Sequence, residues 1–400
     1  MKTGKWTALF WIAVSELFAL SLWFSASVIL PELKGIWSLT AFTEAWVSAA
    51  VPIGFVVGAL VSSYFGIADQ HNPRKIFAIS ATIGAVVNGV LIMADNAILG
   101  IFLRILTGIT LAGVYPTAVK ILTQWFPQKR GLPVGILIAA LTLGSSLPHF
   151  VILFFSAVNW KMVILITSIL ALISAWIVDR ILEDAPDVSV SSFSFKLLKK
   201  VMVNKPVMLA NYGYFGHMWE LYAMWTWLPA FLTASLKISL PDAEQSLIAL
   251  ISFISIGIAG GIGCVLGGLV ADKLGRSNLT LISMFISGLC AVLIGFTYGH
   301  SFWLTLVFAV FWGMSVISDS AQFSVAVSEF SEKEYLGTAL TFQMCVGFLI
   351  TIISINIIPI VQKSIGWEWV FTLLSIGPIL GIIAMFKYKH FETRREITKK

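Results

Sequence analysis

Apolar residues run along this chain in blocks of twenty or more, separated by short polar breaks that often hold glycine or proline. About twenty residues of helix cross the hydrocarbon core of a bilayer, so each block reads as one membrane-crossing helix. About twelve are marked, at roughly 6–30, 44–66, 75–94, 97–121, 132–156, 162–181, 206–235, 244–270, 278–298, 301–327, 336–360 and 368–386. The longest polar break, Glu183 to Lys205, contains Asp184, Pro186, Asp187 and a serine-rich run. Within it, Phe193 to Lys200 is basic and amphipathic, the pattern of a linker helix on the membrane surface.

Polar residues inside the apolar blocks are the next signal. Glu16-Leu17-Phe18-Ala19-Leu20-Ser21-Leu22-Trp23 and Glu220-Leu221-Tyr222-Ala223-Met224-Trp225-Thr226-Trp227 are copies of each other. Positions three and seven further along a helix share a face, so Glu16, Ala19 and Trp23 form one stripe and Glu220, Ala223 and Trp227 another. Insertion scales put an Asp at the centre of a membrane helix at about 2.5–3.5 kcal/mol, and a buried carboxylate at matching places in two halves points to a site between them. Two carboxylates facing one low-dielectric cavity cannot both ionise cheaply, so one is expected to hold a proton.

Composition agrees with the spans: 58% of the residues are hydrophobic and only 12% charged, against about 25% charged in soluble domains. The formal charge of +6 then reports membrane topology rather than nucleic-acid binding. With the N-terminus in the cytoplasm, about 21 of the 26 Lys and Arg fall inside. Lys34, Lys161, Lys237 and Lys363 fall outside, and Arg104 lies within a helix. Both termini and the central break are therefore expected in the cytoplasm. Lys2 and Lys5 precede an apolar run too long for a signal peptide, which reads as a retained first helix. Cys264, Cys290 and Cys345 lie in apolar runs without metal-ligand or disulfide spacing and read as packing residues.

The halves repeat at an offset of about 205 residues. Gly54-x-x-x-Gly58 answers Gly263-x-x-x-Gly267, and Asn159-Trp160-Lys161-Met162-Val163 answers Gly366-Trp367-Glu368-Trp369-Val370. Six helices plus six in one orientation predict an all-α membrane protein of two pseudo-symmetric six-helix bundles. These are 1–182 and 205–400, joined by a cytoplasmic linker at 183–204.

The chain resembles the major facilitator superfamily over essentially its whole length. Gly268-Leu269-Val270-Ala271-Asp272-Lys273-Leu274-Gly275-Arg276 is similar to that family's signature loop after a second helix. Ala68-Asp69-Gln70-His71-Asn72-Pro73-Arg74-Lys75 departs from it, with Asn72-Pro73 in place of the glycine turn. The resemblance implies gating loops in which Asp69 and Asp272 accept hydrogen bonds from helix ends and Arg74 and Arg276 are their charge partners. Arg104-Ile105-Leu106-Thr107-Gly108 resembles the fourth-helix arginine motif that the family links to proton coupling. No Gly-Pro pair marks the fifth helix, which runs Gly144-Ser145-Ser146-Leu147-Pro148-His149; this counts against a drug exporter. Tyr115-Pro116 through Trp125-Phe126-Pro127 to Arg130-Gly131 is loosely similar to organic-anion and nitrate-type uptake carriers.

The candidate substrate and proton site is Glu16, Glu220, Arg104, Asp319, His217, Trp23, Trp227 and Gln343. His217 is one turn before Glu220 and either relays its proton or packs; His149 has the same two readings. Arg104 either binds an anionic group bidentately, pairs with a cavity carboxylate, or forms a structural ion pair. Asp319, with Ser315 and Gln322, makes a polar stripe. Trp23 and Trp227 either wall a site or anchor at the interface. Gln343 and Asn356 offer neutral hydrogen bonds. Glu16, Glu220 and Asp319 against Arg104 make the expected cavity acidic, which favours cations or zwitterions. The expected function is proton-coupled transport of a small organic solute across the cytoplasmic membrane by alternating access, uptake before export, by a monomer without cofactor or metal. The alternatives are a proton antiporter exporting drugs or metabolites, and a non-transporting sensor. No nucleotide loop is present to suggest an enzyme or a pump.

Overall fold

The structure is a computed structural model of the chain, and it describes residues 4–65, 67, 71–126, 131–155, 160–184, 197–332 and 334–399. All regular elements among the described residues are helical. The crossings are α1 (Lys5–Leu20), α2 (Ala41–Tyr64), α3 (Pro73–Val90), α4 (Ala97–Leu111, then Tyr115–Trp125), α5 (Gly131–Phe155) and α6 (Lys161–Arg180). The second half holds α7 (Lys205–Ser239), α8 (Gln245–Ser252, a π-helical stretch Phe253–Ala259, then Gly260–Leu274), α9 (Arg276–Leu293), α10 (Phe302–Ser318, then Ser320–Phe330), α11 (Leu336–Ile365) and α12 (Ile376–Lys399).

Short polar residues start many of these helices by satisfying their free N–H groups. Thr40 and Thr43 cap α2 reciprocally, Asn96 caps α4, Asn204 caps α7 and Ser301 caps α10. The helices after the two signature loops start by different means. Gly275 takes φ +84° before α9, a conformation open to glycine without strain. On the other side Asn72 accepts from the Arg74 N–H, and Pro73 opens α3 with its φ already fixed.

Among the described residues, ten helical stretches are long and apolar enough to cross a membrane by length and composition. The remaining two crossings, α1 and α7, are those that carry Glu16 and Glu220. The first was expected to run unbroken over 6–30. Instead α1 stops after 16 residues, the chain turns through Ser21–Ala26, and helix resumes at Ser27–Ile29 and Leu30–Trp37. α7 is 35 residues long, but Asn211, Tyr214, His217 and Glu220 dilute its apolar run. The lipid side is plain in exposed Ile83, Phe102, Trp176, Leu289, Phe311 and Phe386, which water would not tolerate together.

The two six-helix bundles repeat in detail. Gly54 and Gly58 of α2 lie against the carbonyls of Ile105 and Ile109 in α4. Gly263 and Gly267 of α8 lie against those of Met314 and Ser318 in α10. The offset is 209 at every pair (54 to 263, 105 to 314). α4 and α10 also break at related places, around Ala112–Val114 and at Asp319. Across the halves, α2 packs on α11 and α5 on α8. We call the end carrying Lys5 and Lys399 the terminal face and the other the distal face.

Candidate functional site

Two cavities lie between the bundles. The central one, about 50 Å³, is lined by Leu20, Trp23, Phe55, Tyr115, Tyr214, Tyr222, Ser320, Ser324 and Phe348 among others. The distal one, about 250 Å³, opens between α1, α5, α7 and α8 and has Phe24, Lys34, Glu44, His149, Trp225, Thr226 and Trp227 in its wall. An aromatic layer divides them. Trp23 meets Tyr222 and Phe348 at 5.4 and 5.5 Å between ring centres, and Trp225 meets Tyr222 and Phe24 at 5.3 and 6.0 Å. The break after α1 makes this arrangement: it turns Trp23 toward the central cavity and Phe24 toward the distal one. Trp23, 3% exposed, is therefore a core wall and not an interface anchor.

Glu16 and Glu220 do not share a cavity, contrary to expectation. Neither lines either one, and Glu220 turns back into its own bundle. Glu220 accepts hydrogen bonds from Ser287 Oγ of α9 and Trp312 Nε1 of α10, both at 2.8 Å. Glu16 is fully buried, and neither of its oxygens has a donor among the described residues. One turn before Glu220, His217 Nδ1 lies 3.0 Å from Asp319 Oδ1, with both side chains 2% exposed or less. The break in α10 at Asp319 frees this carboxylate from the helix surface, and the His217 ring packs between Tyr214 and Phe323. His217, Glu220 and Asp319 thus form one polar group inside the second bundle, behind Tyr214.

Arg104 also departs from expectation, for it meets no carboxylate among the described residues. Its guanidinium donates to Leu22 O (2.9 Å), Trp23 O, Ser25 Oγ (3.0 Å) and Asn88 Oδ1 (3.3 Å). The carbonyl end of a helix carries about half a negative charge, so the broken end of α1 supplies the counter-charge. Arg104 is the staple of that break. With Arg104, Glu16, Glu220 and Asp319 all outside the cavity walls, the expected acidic cavity loses its basis.

Trp227 does line the distal cavity, and its Nε1 is bonded to Ile355 O at 2.9 Å. Gln343 is fully buried behind the central wall, where Oε1 accepts from Ser324 Oγ at 3.1 Å. Asn356 bonds back to Ile352 of its own helix. The central tyrosines Tyr115, Tyr214 and Tyr222 and the partners Ser287 and Trp312 were not among the sequence candidates. Only Tyr222 carried a signal, standing where the first copy of the repeat has Phe18.

The expected gating loops fall at the terminal face. Asp69 lies outside the described residues, as does the side chain of Asp272. Arg74 Nη1 lies 3.0 Å from Asp184 and its other nitrogens donate to the Val178 and Asp179 carbonyls, tying α3 to the end of α6. The Asn72 amide and Arg74 hold the Asp184 carboxyl below its ordinary range. Arg276 bonds Glu329 (2.8 Å) and Gln322 (2.9 Å) of α10, while Glu392 of α12 accepts from the first N–H groups of α9. Of the linker stretch, Phe193–Lys196 lie outside the described residues and Leu198–Val203 is helical.

The family profile described as Major Facilitator Superfamily matches residues 12–355 and again 257–400. The chain belongs to the Major Facilitator Superfamily. A crystal structure of the nucleoside transporter NupG has the superfamily fold in common with it, with a TM-score of 0.73 at 15% identity over 95% of this chain and 99% of that one. Among curated superfamily relatives, SauU of Cupriavidus necator, described as a probable sulfoacetate transporter, is 24% identical over 52% of this chain and 51% of its own length. The gallate transporter of Pseudomonas putida is 22% identical over 92% of this chain and 88% of its own. The chain thus spans about half the length of the first relative and most of the second. The superfamily relatives are transporters, not enzymes.

Proposed function

We propose that this protein is a secondary transporter that moves a small organic acid by alternating access, coupled to protons. The observation that carries the reading is the central cavity, walled by both bundles and ringed by aromatic side chains and neutral hydroxyls. At about 50 Å³ the cavity is smaller than a ring in this state, so on this reading its walls part to admit a flat acid, whose faces stack on the rings and whose oxygens meet the hydroxyls. Relatives named for sulfoacetate and gallate support an organic acid, although their substrates are their own.

On this reading the bundles, 1–182 and 205–400, rock about the cavity on the 183–204 linker, within an inner membrane and with both termini cytoplasmic. The terminal side is closed in this state, where Gly135 packs against Gly268. The protons belong to His217, Asp319 and Glu220, which sit behind the cavity wall rather than in it. Glu16 is enclosed with no donor among the described residues, a place where an unpaired charge would cost several kcal/mol. Uptake in symport follows, with a proton accompanying the anion and sparing it the cost of crossing as a bare charge.

Reconstituted protein tests this with labelled gallate and benzoate. An inward proton gradient should raise the initial rate, and Asp319→Asn should remove that stimulation while leaving exchange of substrate for substrate. Uptake of either acid that ignores the gradient would refute proton coupling. Failure of both acids to enter at all would refute the organic-acid reading.

A further inference from the structure

The distal cavity has about five times the volume of the central one, about 250 against about 50 Å³. It is also built with polar groups that none of the described residues satisfies. Trp225 is 1% exposed, yet its Nε1 has no acceptor among the described residues. The neighbouring Thr226 Oγ1 is likewise buried without a partner. Native proteins leave few such atoms, and each asks for an explanation. Here both residues belong to the wall of one cavity, with His149, 6% exposed, contributed to it by α5. The adjacent Trp227 shows what a merely structural indole looks like, since its Nε1 is fully engaged by Ile355.

We propose that the distal cavity is a second binding site, for the carboxylate of a small aromatic acid. The carboxylate accepts from Trp225 Nε1 and Thr226 Oγ1, with His149 as a third polar contact, and the ring lies against Phe24 and Trp227. A volume of about 250 Å³ falls just under the range for drug-sized ligands, so one ring fits and two do not. Charge does not oppose an anion. The one carboxylate in the wall, Glu44, is held by Lys34 at 2.7 Å, so the rim presents no free negative charge. The aromatic layer makes this site separate from the central cavity, so the acid is held on the distal side before that layer parts.

The inference rests on the organic-acid reading, and the test separates the two. Equilibrium binding of labelled benzoate to the purified full chain should show two equivalents. The double variant Trp225→Phe, Thr226→Val keeps an aromatic ring at 225 and the shape at 226 but removes both donors, and the smaller ring should lower the melting temperature somewhat. It should lose one equivalent, or bind it at least about tenfold more weakly, with the other equivalent unchanged, and the isosteric Thr226→Val alone should weaken the same equivalent without the packing loss. Tyr214→Phe, in the central wall, should weaken only the other equivalent. Two undisturbed equivalents in the double variant would overturn the second site. So would one equivalent in the wild type that responds to Tyr214→Phe and not to the double variant. No benzoate binding to either cavity would overturn the organic-acid reading and this inference with it.

Discussion

At the scale of single residues, the same charge means different things according to what surrounds it. Arg104 looked like a substrate or coupling cation because it is a lone arginine in an apolar helix. Its partners are instead the carbonyls left open where α1 stops. Arg104→Ala should therefore cost stability, about 1–3 kcal/mol for each buried carbonyl left unsatisfied. Arg104→Lys should recover only part, since one ammonium cannot match a planar fork that reaches four acceptors. Melting of the purified variants reads this, and any loss of substrate affinity should accompany the loss of stability, since Arg104 acts on the cavity walls only through the break. A large loss of affinity without loss of stability would return Arg104 to the substrate. The repeated glutamates were legible as buried and paired by symmetry. Their direction was not, because helix periodicity gives a shared face but not which neighbour that face meets. Glu220 meets Ser287 and Trp312, which lie 67 and 92 residues further along the chain.

At the scale of elements, the glycine pairs were legible because small residues four apart let helix backbones meet. Gly263 and Gly267 are pressed on α10 carbonyls, so Gly263→Val should lower the yield and melting temperature sharply, a loss in the overpacking range of about 1–3 kcal/mol or more. Gly35 has nothing within 4 Å of a new Cβ and sits in the helix Leu30–Trp37. Gly35→Ala should be neutral or stabilising by up to about 1 kcal/mol. Comparing the two by fluorescence-detected size exclusion after heating separates contact from conformational freedom. The breaks in α4 and α10 have local marks, Gly113 with Pro116 opening the next segment and Ser318-Asp319-Ser320, whereas the break in α1 was not legible because it is held by the tertiary bonds of Arg104. The α3–α6 corner has its own pH signature. Asn72 and Arg74 lower the Asp184 carboxyl in the folded state, so its contribution is present above the unfolded carboxylate range and is lost as pH falls through the lowered folded value. Asp184→Asn should lower the melting temperature slightly near neutrality, where the exposed pair contributes, and flatten the melting curve against pH below about 4, where variant and parent converge.

At the scale of the whole molecule, transport requires that the two bundles separate where they now touch. On the terminal side α2 and α11 meet at Ser63 and Thr341, whose hydroxyl oxygens are 3.4 Å apart. α5 and α8 meet at Gly135 and Gly268, where a Cβ added to Gly135 stands 3.8 Å from the Gly268 Cα. Both contacts join residues more than a hundred apart in sequence, and both must open if the central cavity is to face the terminal side. Ser63→Cys with Thr341→Cys places two sulfurs where the hydroxyls now sit, within reach of a disulfide. Oxidation should form that bond and stop uptake nearly completely, and reduction should restore it. Binding to the distal cavity should survive, because it opens on the other face. A cross-linked protein that still transports at the uncross-linked rate would mean that the bundles do not part along α2 and α11. The solute would then need a path that leaves this interface closed.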